Sequence, residues 1–197
     1  MGRILFALVL AAAGALAPCF ADEPATFLIA REGLPDPNFG NSVVLMTPSE
    51  GEGSLGIIVN KPTRIPLSKL FPDLPKLANL DDRVFFGGPV SLQSVSFVFR
   101  ADKAPEDALE IMKGVYISSD NDLLRTLLGR DKPTENLRIF IGYAGWAPGQ
   151  LEGEVSRGDW HRLDADARSL FERRPESLWH DLDFKASATK ALFVPAR

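Results

Sequence analysis

Cysteine and histidine are almost missing from this 197-residue chain, which has one of the first, Cys19, and two of the second, His161 and His180. Two separated histidines give no His-x-x-x-His ligand pair, and one cysteine gives neither a disulfide nor a thiolate zinc cluster. No metal site and no cofactor is therefore expected. A Gly-x-Ser-x-Gly elbow is lacking too, which removes the usual serine-hydrolase signature. Basic residues do not dominate, since 22 Lys and Arg face 26 Asp and Glu for a formal charge of −4. A nucleic-acid surface needs a basic stripe to displace counterions from phosphates, so no nucleic-acid partner is expected. Internal repeats, low-complexity linkers and composition breaks are absent as well. With 45% hydrophobic residues the composition is that of an ordinary globular chain, long enough for one compact domain.

The N-terminus is built differently. Arg3 precedes an apolar stretch over residues 4–16, and Pro18, Cys19, Phe20 and Ala21 lead into the acidic pair Asp22 and Glu23. That is the layout of a secretory signal peptide cleaved after Ala21. An uncleaved anchor is one alternative, but the apolar stretch is shorter than the roughly 20 residues that span a bilayer. A lipoprotein acylated at Cys19 is another, with Pro18 standing where that motif wants Gly, Ala or Ser. The expected organisation is a signal peptide over 1–21, one domain over 22–183 and an aperiodic, loosely attached tail over 184–197. The expected location is the periplasm or the exterior, with no stable membrane span after cleavage; a cytoplasmic protein would follow only if the signal does not work.

Short runs of Val, Ile, Leu and Phe bounded by Pro, Gly, Asn and Asp predict strands over 26–30, 42–46, 55–59, 83–86, 95–99, 115–118 and 137–143. Helical patterns are short and fall over 67–70, 121–128, 148–157, 165–173 and 176–182. Ser119 or Asp120 can cap the second of these and Gly129 can end it. Strands in runs, with helices concentrated late, predict an α+β domain with a mainly antiparallel or mixed sheet.

Gly51, Gly53 and Gly56 match the spacing of a dinucleotide loop, but Ile57, Ile58 and Val59 follow where a helix would have to start, so a hairpin turn is expected. The densest special stretch runs from Gly142-Tyr143-Ala144-Gly145-Trp146 through Pro148-Gly149-Gln150-Leu151 to Glu154. Pro148 suits a first helical position, and Gln150 and Glu154, four apart, share a helix face. They could line a cradle for an anion or carboxylate at the helix start; alternatively the glycines serve strand-to-helix packing and Trp146 is core. Asn60-Lys61-Pro62 and Gly87-Gly88-Pro89-Val90 are two further sharp turns, with the same two readings. If the three segments converge, Asn60, Lys61, Gly87, Gly88, Trp146, Gln150 and Glu154 border one ligand pocket.

These motifs, taken in order with Phe27-Leu28-Ile29-Ala30, Asp36-Pro37-Asn38-Phe39, Ser42-Val43-Val44-Leu45 and Trp160, resemble the bacterial YqgE/AlgH family over about residues 25–182. The resemblance implies an α+β sheet curled into a barrel-like form. It also implies a label of transcriptional regulator, attached through alginate control, without an assigned activity, cofactor or catalytic residue. Arg31-Glu32 departs from the Ala-Met-Pro start frequent in that family, and the export signal is at odds with a role on the chromosome. The expected function is a non-enzymatic binding or regulatory module of the cell envelope, whose partner is a protein or a small polar ligand. Two alternatives are a cytoplasmic regulator and a small hydrolase or transferase using Glu154 or Asp36 as acid or base, with Asn60, Lys61 and Gln150 orienting a ligand.

Overall fold

The computed structural model describes residues 25–49, 51 and 53–192, with side chains as far as residue 188. The predicted signal peptide lies outside the described residues. Ten strands, among the described residues, form one sheet: β1 (Thr26–Ala30), β2 (Val43–Thr47), β3 (Ser54–Ile58), β4 (Pro62–Pro66), β5 (Arg83–Phe86), β6 (Val90–Arg100), β7 (Leu109–Met112), β8 (Val115–Ser118), β9 (Leu137–Trp146) and β10 (Trp160–Asp164). Five helices accompany them: α1 (Leu67–Leu70), α2 (Asn121–Leu128), α3 (Gln150–Ser156), α4 (Ala167–Phe171) and α5 (Pro175–Leu192). The order is β10-β1-β2-β3-β9-β6-β8-β7, with β4 on β5 and β5 on β9. All pairings are antiparallel except that of β5 with β9. The expected α+β domain with a mixed, curled sheet is what the chain forms.

Strand β9 joins two half-sheets. Leu137–Tyr143 pair with β6, while on the other edge Phe140 and Ile141 pair with β5 and Ala144–Trp146 pair with β3. The change of partner falls at Gly142, whose φ of 69° is open to glycine but not to most side chains. There the backbone of Gly88 comes so close that a Cβ on Gly142 would strike the Gly88 carbonyl, and a Cβ on Gly88 would strike the Tyr143 carbonyl. Gly87 completes the crossing, donating its amide to the Ile141 carbonyl and accepting from the Ile58 amide (both 2.8 Å). These glycines are where two strands can approach because neither carries a side chain.

Period-two alternation then sorts the core of the first half-sheet. Phe27, Ile29, Val43, Leu45 and Ile57 pack on one face with Leu178 and Leu182 of α5. Leu28, Ala30, Val44 and Ile58 pack on the other with Trp146, Leu151 and Trp160. Covered on both faces, this half-sheet is a rigid support for α3 and the loop after β1.

Several expectations are corrected. Helix α5 continues through the predicted tail to Leu192, because Leu178, Leu182 and Ala186 form one buried stripe at spacings of four; its last member is an alanine and gives little hydrophobic signal. Strands β4, β7 and β10 were not expected. β4 is framed by two prolines and β10 reads Trp-His-Arg-Leu-Asp, and both sit at sheet edges, where proline and charge are tolerated. Helix α3 starts at Gln150, not at Pro148, since Gly149 takes a left-handed backbone (φ 77°) at the N-cap.

Helix α2 is capped as expected, the Leu123 amide donating to Asp120 Oδ1 (2.7 Å). Asp166 does the same for α4, accepting from the Ser169 amide (2.7 Å) and hydroxyl (2.8 Å). Burial works to raise the Asp166 pKa, but these hydrogen bonds and the charges of Lys185 and Arg173 outweigh it and hold it below 3.8. The folded carboxyl therefore binds its proton less readily than the unfolded one, and its contribution, complete above 3.8, is lost as the pH falls through the lower folded value. Acid melts of Asp166→Asn, which keeps an acceptor for the cap but removes the titrating carboxyl, should show a shallower loss of stability below about pH 4 than the parent.

Candidate functional site

The site grows from the two strand ends that α3 connects, the end of β9 and the start of β10, which have β1, β2 and β3 between them in the sheet. β9 ends at Trp146 and β10 begins at Trp160, so the two indoles meet beneath α3 edge to face, with centroids 6.0 Å apart at 82°. Phe39, from the loop after β1, closes the triangle at 5.9 Å from Trp146 and 5.7 Å from Trp160. Both indoles are buried, and a buried indole N–H needs an acceptor. Glu154 supplies it: one oxygen, Oε2, accepts from Trp146 Nε1 (2.8 Å) and from Trp160 Nε1 (2.9 Å). Its other oxygen accepts from Gln150 Nε2 (3.0 Å), and Gln150 Oε1 accepts from the Ala147 amide (3.0 Å). One carboxylate on one turn of helix thus fixes both aromatic rings and the turn before α3.

Above this floor lies a cleft of about 350 Å³ lined by Asp36, Trp146, Gln150, Glu154 and Trp160, with Arg31, Arg157 and Asp159 on one side. Arg31 Nε lies 3.4 Å from Asp159 Oδ1, and Arg157 donates from Nε to Asp159 Oδ2 (3.1 Å), with its Nη2 2.9 Å from the same oxygen as an ion pair. Two half-exposed to exposed guanidiniums share that one carboxylate, while over the whole lining two arginines face three carboxylates, Asp36, Glu154 and Asp159. Asp36 also lines the cleft, but its Oδ1 accepts from the amides of Asn38 (2.8 Å) and Phe39 (3.0 Å). It is the turn residue that places Phe39.

Of the expected pocket residues, Trp146, Gln150 and Glu154 come together, joined by Asp36. Asn60, Lys61, Gly87 and Gly88 do not line this cleft. Asn60 is buried and spent on backbone: the Val43 amide donates to its Oδ1 (2.8 Å) and its Nδ2 donates to the Asn41 carbonyl (2.9 Å). Lys61 donates to the Asn38 carbonyl (2.7 Å), bracing the 36–39 turn from behind. Burial lowers its pKa, against the raising charge of Asp36. Gly87 and Gly88 serve the strand crossing. Nor does α3 offer an open N-terminal cradle, because Gln150 turns back onto the Ala147 amide.

Arg31, Phe39, Arg157 and Asp159 escaped the sequence reading as site residues. Arg31 and Asp159 are 128 positions apart and meet only because β1 pairs with β10 in the register Ala30 to Trp160. The one legible signal was Trp160, a tryptophan following the turn Gly158-Asp159.

Comparison with known proteins bears on the family and the fold. The domain family described as AlgH-like matches residues 27–186. Among curated sequences, a UPF0301 protein of Methylococcus capsulatus is 32% identical over 164 residues, covering 82% of this chain and 90% of its own. A UPF0301 protein of Streptomyces avermitilis is 37% identical over 164 residues, covering 79% and 82%. The solution structure of the AlgH protein of Pseudomonas aeruginosa superposes with a TM-score of 0.64 at 28% identity, covering 87% of this chain and 89% of that one. A crystal structure from Corynebacterium diphtheriae shares the fold, with a TM-score of 0.65 at 24% identity. The strand-end glycines, the Asp36 turn and the Trp146 to Glu154 segment all lie within the matched range, and the chain belongs to the AlgH-like family.

Proposed function

We propose that the protein is a non-enzymatic binding module, exported to the cell envelope, and that it takes a small polar ligand rich in acceptor oxygens in the cleft between α3 and the 31–39 loop. The observation that carries this reading is the commitment of Glu154. A general acid or base must be free to exchange a proton with a ligand at hydrogen-bond distance. Glu154 instead holds three donors, two of them buried indoles, and Asp36 holds two backbone amides. Both carboxylates act as structural acceptors. The groups left to meet a ligand are the Arg31 and Arg157 guanidiniums, and their fork of N–H donors suits carboxylate, phosphate or sugar oxygens.

Export rests on the N-terminal layout: a short apolar stretch, Ala21, then an acidic start. Fractionation with an intact mass beginning at Asp22 supports it, and Met1 retained in the native protein overturns it. For binding, the tryptophan fluorescence of the purified protein should respond saturably to a low-molecular-weight envelope extract. The response should be lost in Arg157→Ala, whose melting point should stay close to the parent because exposed ion pairs contribute about 0–1 kcal/mol. The ligand should be recovered with its mass unchanged. Turnover by the parent but not by Asp36→Asn or Glu154→Gln would make the protein an enzyme instead.

A further inference from the structure

A larger cleft of about 510 Å³, sharing no residue with the tryptophan cleft, lies between β4, the turn into β5, the start of β9 and the first turn of α5. Three guanidiniums line it, those of Arg64, Arg83 and Arg138, together with three carboxylates, those of Asp81, Asp82 and Glu176. Six opposite charges in one cleft ordinarily collapse into pairs, yet among the described residues none of the six is within 4.0 Å of an opposite partner. The scaffold holds the inner ones apart. Arg138 donates from Nη1 to the Leu137 carbonyl and from Nη2 to the Phe171 carbonyl (both 3.1 Å), and its guanidinium lies 5.8 Å from the centre of the Phe85 ring. Asp82 accepts the Thr134 hydroxyl on Oδ2 (3.0 Å), and its carbonyl accepts the Leu67 amide (2.9 Å).

Arg138 is the unusual member. Burial pushes its pKa down, and Asp82 raises it only from a distance. Two carbonyls occupy part of its fork of five N–H donors, and no counter-charge touches it. A desolvated cation without an ion-pair partner is costly unless an anion completes it. The three carboxylates of the same lining suit the reverse task, accepting from a cation.

We propose that this cleft is a second binding site and that its ligand is a small zwitterion of amino-acid or short-peptide type, its carboxylate on Arg138 with Arg83 or Arg64 and its ammonium on Asp82 with Asp81 or Glu176. The volume lies in the range of small-molecule sites. A simple anion would leave the carboxylates of the lining without a cation, and a simple amine would leave Arg138 without an anion; a ligand with both charges satisfies both kinds of group.

The test is an amide-detected NMR titration of the purified protein with glycylglycine, set beside acetate and ethylamine. Glycylglycine should give saturable shifts at Arg138, Asp82 and Thr63, with acetate and ethylamine at least about tenfold weaker, as expected when each leaves one kind of group unpaired. Arg138→Gln and Asp82→Asn should each weaken glycylglycine by about tenfold or more. Should Arg138→Gln fail to fold, the double variant Arg64→Gln with Arg83→Gln, both exposed, reads the same loss in a folded protein. No saturable shift with glycylglycine up to its solubility would overturn the proposal. Acetate or ethylamine binding as tightly as the dipeptide, or the variants binding unchanged, would overturn it too.

Discussion

Gly88→Ala is expected to cost about 3–5 kcal/mol, a large share of the stability of a domain this size. A methyl group there would strike the backbone of Tyr143 and Ala144, atoms that cannot move without parting β9 from β6, and φ at Gly88 is 149°. Overpacking and backbone strain each contribute about 1–3 kcal/mol. Gly142→Ala should behave alike, for the same crossing seen from the other strand. Gly149 separates the two causes: its φ is 77° but nothing lies within 4 Å of an added Cβ, so Gly149→Ala should cost only about 1–2 kcal/mol. Gly145→Ala meets only ordinary contacts at 3.5 Å and beyond and should be nearly neutral. Denaturant melts of the four variants check the order, and equal losses across all four would remove the close-approach explanation.

Glu154→Ala should cost about 2–5 kcal/mol, the second largest effect. Removing the carboxylate strands two buried indole N–H groups, each at about 1–3 kcal/mol. Gln150 loses its partner as well, though at the surface. Glu154→Gln keeps one oxygen for the indoles and should lose about 1 kcal/mol. A carboxylate lining a cleft invites a catalytic reading, and the geometry makes it a structural pin instead. Urea titrations of the two variants, read at the tryptophans, distinguish these magnitudes; an alanine variant as stable as the parent would mean that the indoles are not held by this group.

Much of this arrangement is written locally. Residues 83–86 and 115–118 are branched and aromatic runs between turn residues, and they are strands to the residue; 121–128 carries its own cap and stop. Gln150, Glu154 and Trp146 come together because a helix spacing of four and a strand end are properties of one short segment. What stayed hidden depends on pairing across the chain. Nothing near Arg31 says that Asp159 will stand beside it, and nothing in Gly87-Gly88 says whether the missing side chains make room for a ligand or for Gly142. The edge strands β4 and β10 were masked by proline and charge, which protect an exposed edge and read as loop. Asn60 follows an apolar strand, and nothing beside it names its partners, the Val43 amide and the Asn41 carbonyl, 17 and 19 residues earlier.

The account stands or falls on the two hydrogen bonds into one oxygen of Glu154, and indole N–H hydrogen exchange reads them directly. The chain has three tryptophans, and Trp179 serves as the internal reference because its Nε1 donates to the Ala30 carbonyl (2.7 Å) and not to Glu154. In the parent all three indole N–H groups should exchange slowly; in Glu154→Ala those of Trp146 and Trp160 should become fast while that of Trp179 stays slow. Fast exchange at Trp146 and Trp160 in the parent would contradict the account, since Glu154 would then be a free carboxylate facing the cleft.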